Sequence, residues 1–297
     1  MNVDDIYKLI LYICSKNAYQ GYISYQDFNS VINQSQISYL DYLLGSLQQY
    51  QYNHPQPKVA LGLNGEVRQR LAPFLIKDTL SLTSGYVDYP NDYQMVDSMM
   101  TNDFKAIRYT QQNYLGSVYN SVIDPISEYP IYLMEQNGFQ FYPDTLDEAV
   151  ITYVGTPNEI VWAYELDSNG RAVYTTGIQG VNVINGGSGY TSATVTFSAP
   201  ASGGIQATGT VTISSGVVTG IVMTENGTGY NNITPTVTFN GVGGTGCQLG
   251  TPISSQDCRF YDVDKLNIIS RALRMIGVSL EDNAVSQYAE QIKMVGQ

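Results

Sequence analysis

GVNVINGGSGYTSATVTF, from Gly180 to Phe197, is followed by GIVMTENGTGYNNITPTVTF, from Gly220 to Phe239, and the two stretches are copies of one pattern. They lie 40 residues apart at the glycine-tyrosine signature, Gly189-Tyr190 against Gly229-Tyr230, and 42 apart at Phe197 and Phe239. The two extra residues fall in the NNITP stretch. The match continues at the 42-residue offset from Gly204-Ile205-Gln206 to Gly246-Cys247-Gln248. Val181 and Val183, then Ala193, Val195 and Phe197, then Ala207, Gly209, Val211 and Ile213 follow a period of two, which marks strands with one buried face. Ser215-Gly216 reads as a hairpin turn. Two copies are too few for a solenoid, so they are expected to pair face to face into one compact β unit.

The block from Ile178 to Gly250 holds no Lys or Arg, one acid (Glu225) and 16 of the chain's 28 glycines. Its flanks differ sharply in composition. The expected organisation is therefore a host domain, residues 1–177 plus 251–297, carrying an inserted glycine-rich β domain at 178–250. The chain should leave the host at Thr176 to Gly180 and re-enter it at Leu249 to Gln256.

The host reads as helices at both ends with a small sheet between them. Ile6, Leu9, Ile10 and Ile13 recur at helical spacing over Val3 to Lys16, and Asp4 and Asp5 suit the positive end of that helix. Ser24-Tyr25-Gln26-Asp27 is a capping-box-like start. The helix it opens carries Phe28, Val31, Ile32, Ser35, Tyr39, Tyr42 and Leu43 and ends before Pro55 and Pro57. This helical pair is expected to pack on a third helix, Gly65 to Pro73. Thr79 to Thr83 and Tyr86 to Asp88 read as a hairpin about Ser84-Gly85, closed by the Tyr89-Pro90-Asn91-Asp92-Tyr93 turn. A strand is expected over Phe104 to Arg108, with a helix from Thr110. Ile131 to Gln136 and Phe139 to Tyr142 flank Asn137-Gly138, the signature of a type I′ hairpin. Ala149 to Val154 supplies a third strand. Val263 to Ile276 and Ser279 to Val295 read as closing helices. The fold class is α+β, a helical bundle with a small antiparallel sheet plus an inserted all-β repeat.

Composition narrows the function. With 297 residues, 43% hydrophobic content and 25 tyrosines, the chain is ample for a packed core. The opening MNVDDIYK is acidic where a signal peptide is basic, and no apolar run reaches membrane-spanning length, so no membrane partner is expected. A formal charge of −12 repels phosphate, which argues against binding nucleic acid through its backbone. The same sign suits a surface past which DNA slides.

No catalytic, cofactor or metal residue can be assembled. There is a single histidine, His54, and three scattered cysteines. Cys247 and Cys258 are either a pair or two free buried thiols. Gly241, Gly243 and Gly246 spell GxGxxG, but between strands and without the helix that a phosphate site needs. Asp262 and Asp264 sit where a helix begins and read as helix-end acids rather than a metal pair. Asn226-Gly227-Thr228 is a sequon by spelling only. Tyr190 and Tyr230 admit two readings, a cap on each repeat's core, which is preferred, or a recognition surface.

Several host segments together carry a resemblance: GYISYQDFNSVINQSQISYLDYLLG, the YPNDY turn, IDPISEYPIYLMEQNGFQFYPDTLDEAVITYVGTP, IVWAYELDSNGRAVY and DKLNIISRALRMIGVSLEDNAVSQYAEQIK. In this order they resemble a virion structural family of Bacteroidetes phages that crass-like podophages encode. More distantly, the chain is similar to the adaptors of short-tailed phages, with matching positions at Pro130, Tyr132, Tyr142, Pro143, Tyr153 and Pro157. The resemblance covers about Met1 to Gly177 and Cys258 to Gln297. It implies a virion protein assembled in the host cytoplasm: a twelvefold ring of the head-to-tail connector, docked below the portal protein and touching other tail ring or fibre proteins. Double-stranded DNA would pass through it without sequence-specific binding. The GGSGYTSATVTF pattern is similar to repeats of phage fibres, so the alternative is a fibre-attachment or glycan-binding tail subunit. Neither reading is an enzyme.

Overall fold

A computed structural model of the protein describes residues 1–16, 23–45, 65–119 and 128–277. Among these residues the fold is mixed α/β, with five α-helices, several small open sheets and no closed barrel. Contacts divide the chain into two compact units, one of Met1–Gln36 with the chain from Asn158 onward, the other Ile37–Pro157. The stretch read as one host thus contributes to two units. His54, Pro55, Pro57 and the expected helix from Ser279 to Val295 lie outside the described residues.

The helices begin where their polar residues dictate. In α1 (Val3–Lys16), Val3, Ile6, Tyr7, Ile10 and Cys14 are buried, while Leu9 and Ile13 are only half-buried. The buried stripe is therefore rotated by part of a turn from the expected one. For α2 (Tyr25–Gly45), Ser24 caps as expected: its Oγ accepts from the Asp27 N–H at 3.1 Å and donates to the Asp27 carboxylate at 2.6 Å. Phe28, Ile32, Tyr39, Leu40 and Leu43 are buried, but Tyr42 is exposed.

The unit Ile37–Pro157 holds α3 (Gly65–Leu71), a 3-10 turn at Ala72–Phe74, β1 (Leu75–Ser81), β2 (Tyr86–Asp88), β3 (Tyr93–Met100), β4 (Arg108–Tyr109), α4 (Gln112–Tyr119), β5 (Ile131–Met134), β6 (Gly138–Tyr142) and β7 (Glu148–Gly155). These strands make two sheets, in orders β1-β7-β3 and β2-β6-β5-β4, that share one core. Leu80, Val96, Ile151 and Tyr153 come from the first sheet, and Tyr132, Phe139 and Phe141 from the second.

Local pairing signals misplace several of these strands. The expected hairpin about Ser84-Gly85 shrinks to a single bridge, Thr83 to Tyr86, because β1 pairs with β7 and β2 with β6. Ser84 (φ 51°) and Gly85 (φ 74°) instead turn the chain from one sheet into the other. The expected strand Ala149 to Val154 is present within β7, where it forms the centre of the first sheet. Phe104 is an exposed turn residue at φ 61°, so the expected strand there is reduced to β4, while β3, unrecognised in the sequence, pairs along β7. The β5-β6 hairpin is present, with Met134 opposite Phe139, but its turn lies at Gln136-Asn137 and neither Asn137 nor Gly138 has positive φ. Gly138 is needed for another reason. A Cβ there would collide with the Val87 carbonyl oxygen of β2.

The other unit continues with β8 (Tyr164–Leu166), β9 (Ala172–Tyr174), β10 (Ile178–Gly180), β11 (Val183–Ser188), β12 (Ser192–Phe197), β13 (Thr208–Ser214), β14 (Val217–Glu225), β15 (Val237–Val242), β16 (Thr245–Leu249), β17 (Ile253–Ser254) and α5 (Asp262–Met275). The copies exchange strands. The end of the first copy, β13, pairs with the start of the second, β14, across the Ser215-Gly216 turn; the start of the first, β11, pairs with the end of the second, β16. The middle strands β12 and β15 pair with each other, Val195 opposite Phe239. A four-stranded sheet in order β14-β13-β12-β15 results, and β10 pairs with β17 where the repeat begins and ends.

Two measurements follow from the unit Ile37–Pro157. Asp97 is buried in β3 and its cation is Arg68 of α3, at 2.9 Å. Arg68→Ala is expected to lower stability by about 2 kcal/mol, less than for a fully buried pair because Arg68 is half exposed. The urea midpoint reads this, and an unchanged midpoint would remove the pair from the account. Burial pushes the Tyr93 phenol up to about 12. A raised native value means stability is complete below the unfolded value near 10 and is lost as pH rises toward about 12. Tyr93→Phe should flatten the fall in melting temperature across that window.

Candidate functional site

The repeat closes through two tyrosines. Tyr190 and Tyr230 follow a pair of left-handed glycines in each copy, Gly187 (φ 61°) and Gly189 (φ 81°), then Gly227 (φ 70°) and Gly229 (φ 83°). That backbone turns each ring inward, and both tyrosines are buried. Each then reaches the other copy: the Tyr190 hydroxyl accepts from the Cys247 N–H at 3.0 Å, and the Tyr230 hydroxyl from the Ala207 N–H at 3.1 Å. Cys247 and Ala207 are 40 residues apart, the spacing of Tyr190 and Tyr230, so the structure places Ala207 and not Ile205, its match at the 42-residue offset, as the counterpart of Cys247. The Tyr190 N–H donates to the Gly216 carbonyl in the turn between the copies, and the Tyr230 N–H to the Thr176 carbonyl just ahead of the first copy. Gly187 and Gly227 must lack a side chain for the same reason, because a Cβ would lie 2.7 Å from the Cys247 nitrogen and 2.8 Å from the Ala207 nitrogen. The tyrosines are core residues, as preferred from the sequence, and their buried rings are not a recognition surface.

The copies differ at their two-residue excess. There Asn232, at φ 60°, clasps Asp257: its Oδ1 accepts from the Asp257 N–H and its Nδ2 donates to the Asp257 carboxylate, both at 2.7 Å. The other carboxylate oxygen accepts from the Val3 N–H at 2.7 Å, an anion on the first turn of α1. The second copy is thus tied to the first helix, and the first copy has no residue to do the same.

A second attachment is an amide ladder. Asn29, Asn33 and Gln36 stand at i, i+4 and i+7 on α2, and the extended chain at Asn158, Ile160 and Trp162 meets them every second residue. Asn33 bonds both backbone groups of Ile160 at 2.8 Å. Asn29 accepts from the Trp162 N–H at 2.8 Å, and Gln36 donates to the Asn158 carbonyl at 2.9 Å. Two turns of helix and four residues of strand cover similar lengths, so helical amides can stand in for a neighbouring strand. Trp162 is held further by its Nε1–H to Asp4 at 3.2 Å and by the Tyr7 ring at 4.4 Å.

In the unit Ile37–Pro157 the matched positions gather around Asp92 and the shared core. Tyr153 donates its hydroxyl to the Asp92 carboxylate at 2.8 Å, and the Asp92 carbonyl accepts from the N–H of Thr156 at 2.7 Å, next to buried Pro157. The YPNDY turn is therefore locked to the end of β7. Tyr132 is buried in the same core, Pro130 is buried before β5, and Tyr142-Pro143 ends β6 with Tyr142 half-buried.

The remaining motifs are structural. Gly241 lies in β15, Gly243 (φ 81°) turns the chain between β15 and β16, and Gly246 (φ 84°) is a left-handed residue within β16. Asp262 bonds Lys265 at 2.9 Å and the Met1 amino group at 3.2 Å; the Lys265 hydrogen bond is the main reason its carboxyl lies below the usual range. Asp264 is buried within the first turn of α5. Cys247 and Cys258 are unpaired with each other, and burial pushes the Cys258 thiol up to about 11, so it is no thiolate at neutral pH. Asn226 donates to Glu165 at 3.3 Å. Among the described residues no group of three or more His, Cys, Asp or Glu could hold a metal, and no helix is long and apolar enough to cross a membrane. What these parts can do is hold surfaces rigidly. The Asn29-Asn33-Gln36 spacing was the sequence signal for the ladder, three amides on an otherwise apolar helical face.

No protein-family model matches the chain, and a search of curated proteins finds no similar sequence.

Tyr230 makes a second bond, donating to the Ser198 carbonyl at 2.8 Å. Tyr230→Phe is therefore expected to cost about 2–3 kcal/mol in denaturant unfolding, and Tyr190→Phe about 1 kcal/mol. Equal losses would contradict the unequal bonding.

Proposed function

We propose that the chain is a virion structural protein, a subunit of the ring that connects a phage head to its tail beneath the portal. The observation that carries the reading is that Tyr132 and Tyr153, positions of the adaptor resemblance, share one two-sheet core, with the YPNDY turn clasped to it through Asp92. A ring subunit needs such stiffness. Lateral contacts repeated around a symmetry axis tolerate little variation in angle before the ring fails to close. The charge of −12 supports a channel past which DNA moves without adhesion.

The repeat is, in this reading, a β domain inserted into a helical host. Its ends support that: Ile178 pairs with Ser254, and just outside them the Ser255 hydroxyl donates to the Thr175 carbonyl at 2.9 Å. Leaving and returning there costs the α1 side the Asn232 clasp on Asp257, while the Val3 N–H keeps its bond to the Asp257 carboxylate.

Electron microscopy of the phage particle tests the ring. The expected result is density for this chain in a closed ring against the portal, and placement at a fibre tip would overturn it. Joining Thr175 to Ser255 through two glycines tests the insertion, with helical circular dichroism and ring assembly expected to survive. Loss of both would mean that the repeat is part of the host core.

A further inference from the structure

We propose that β15 is a docking edge for a second copy of this chain, the two β15 strands pairing antiparallel. Among the described residues, the edges of the other sheets of three or more strands, and the far edge of this one, are defended in the ways that prevent such pairing. β1 carries Lys77 and Asp78, β2 Asp88, β4 Arg108, and β3 Asp97 with two register shifts. At the far side of its own sheet, β14 carries Glu225 and shifts register twice against β13. β15, VTFNGV, has no charge and no proline, and it pairs with β12 in unbroken register from Ser192-Val242 to Phe197-Val237.

Its free groups define a register. Ser198 donates to the Thr236 carbonyl, so by antiparallel alternation Val237, Phe239 and Gly241 turn their N–H and C=O away from β12. Pairing of these groups with their own copies puts Phe239 opposite Phe239, Val237 opposite Gly241 and Thr238 opposite Asn240, with about six backbone hydrogen bonds. The charge distribution selects the occupant. Of the net −12, one charge lies in residues 178–250, so copies that repel elsewhere meet here across neutral surface. The exposed face also continues across the pair without a lysine or arginine, through Thr194, Thr196, Thr208, Thr210 and Thr238.

The inference does not rest on the ring reading, because it concerns the free chain and a twofold contact. Sedimentation equilibrium of the full chain up to about 1 mM is expected to show a reversible dimer. Thr238→Lys with Asn240→Lys sets like charges opposite each other twice and should weaken dimerisation at least about tenfold, as should the corresponding double Glu variant. An equimolar mixture of the two variants should restore it. Both substitutions sit on the exposed face, and an unchanged melting temperature separates lost pairing from lost folding. A wild-type monomer throughout the series, or double-Lys and double-Glu variants that dimerise as wild type does, would overturn the proposal. A mixture that stays monomeric would do so too.

Discussion

Each copy of the repeat leaves a tyrosine that it cannot bury and an N–H that it cannot satisfy, and the other copy supplies both. The two bonds, Tyr190 to Cys247 and Tyr230 to Ala207, place the glycines, the strand order and the ends of the module. Buried hydroxyls and amides must be bonded, so neither copy is complete alone. From that single constraint comes the cyclic pairing of β11 with β16 and β13 with β14, since each tyrosine must lie over the last strand of its counterpart. Just outside the module, the Ser255 hydroxyl donates to the Thr175 carbonyl at 2.9 Å.

The residues around α1 and α2 meet the same problem with polar side chains. The extended segment at Asn158 to Trp162 has no strand on the α2 side, and the Asn29-Asn33-Gln36 ladder takes the place of one. Asp257 satisfies the Val3 N–H of α1 and the Asn232 side chain together. In Ile37–Pro157, Asp92 serves a turn and a strand end at once. Each is a short polar group with two or more fixed partners, which favours a stiff frame over a reactive site. The proposed ring would need that property, since contacts repeated around an axis tolerate little variation in angle.

What could be read from the sequence was what depends on local period and on identity between copies. The α1 and α5 spans, the Ser24 cap, the Ser215-Gly216 turn and the strands of the repeat all rest on signals within a few residues. Burial of Tyr190 and Tyr230 was legible as the preferred of two readings, because both follow the same glycines. Pairing partners were not legible where the decisive contact is distant. Ser84-Gly85 looks like a hairpin turn, yet β1 finds β7 some 70 residues on, because Ile151, Tyr153 and Val154 bury more apolar surface than β2 offers. Gly138 looks like half of a type I′ turn and is instead the place where β2 approaches too closely for a Cβ. The Asp257 and Asp92 clasps were invisible for the same reason, since their partners are defined only once the chain has folded.

Native-state hydrogen exchange at two amides tests the closure most directly. Cys247 and Ala207 donate to tyrosines of opposite copies, so both should exchange only when the whole module opens, with the same free energy and the same response to denaturant. If Ala207 is protected while Cys247 exchanges through a smaller, separate opening, each copy is stable by itself and mutual completion of the repeats is contradicted.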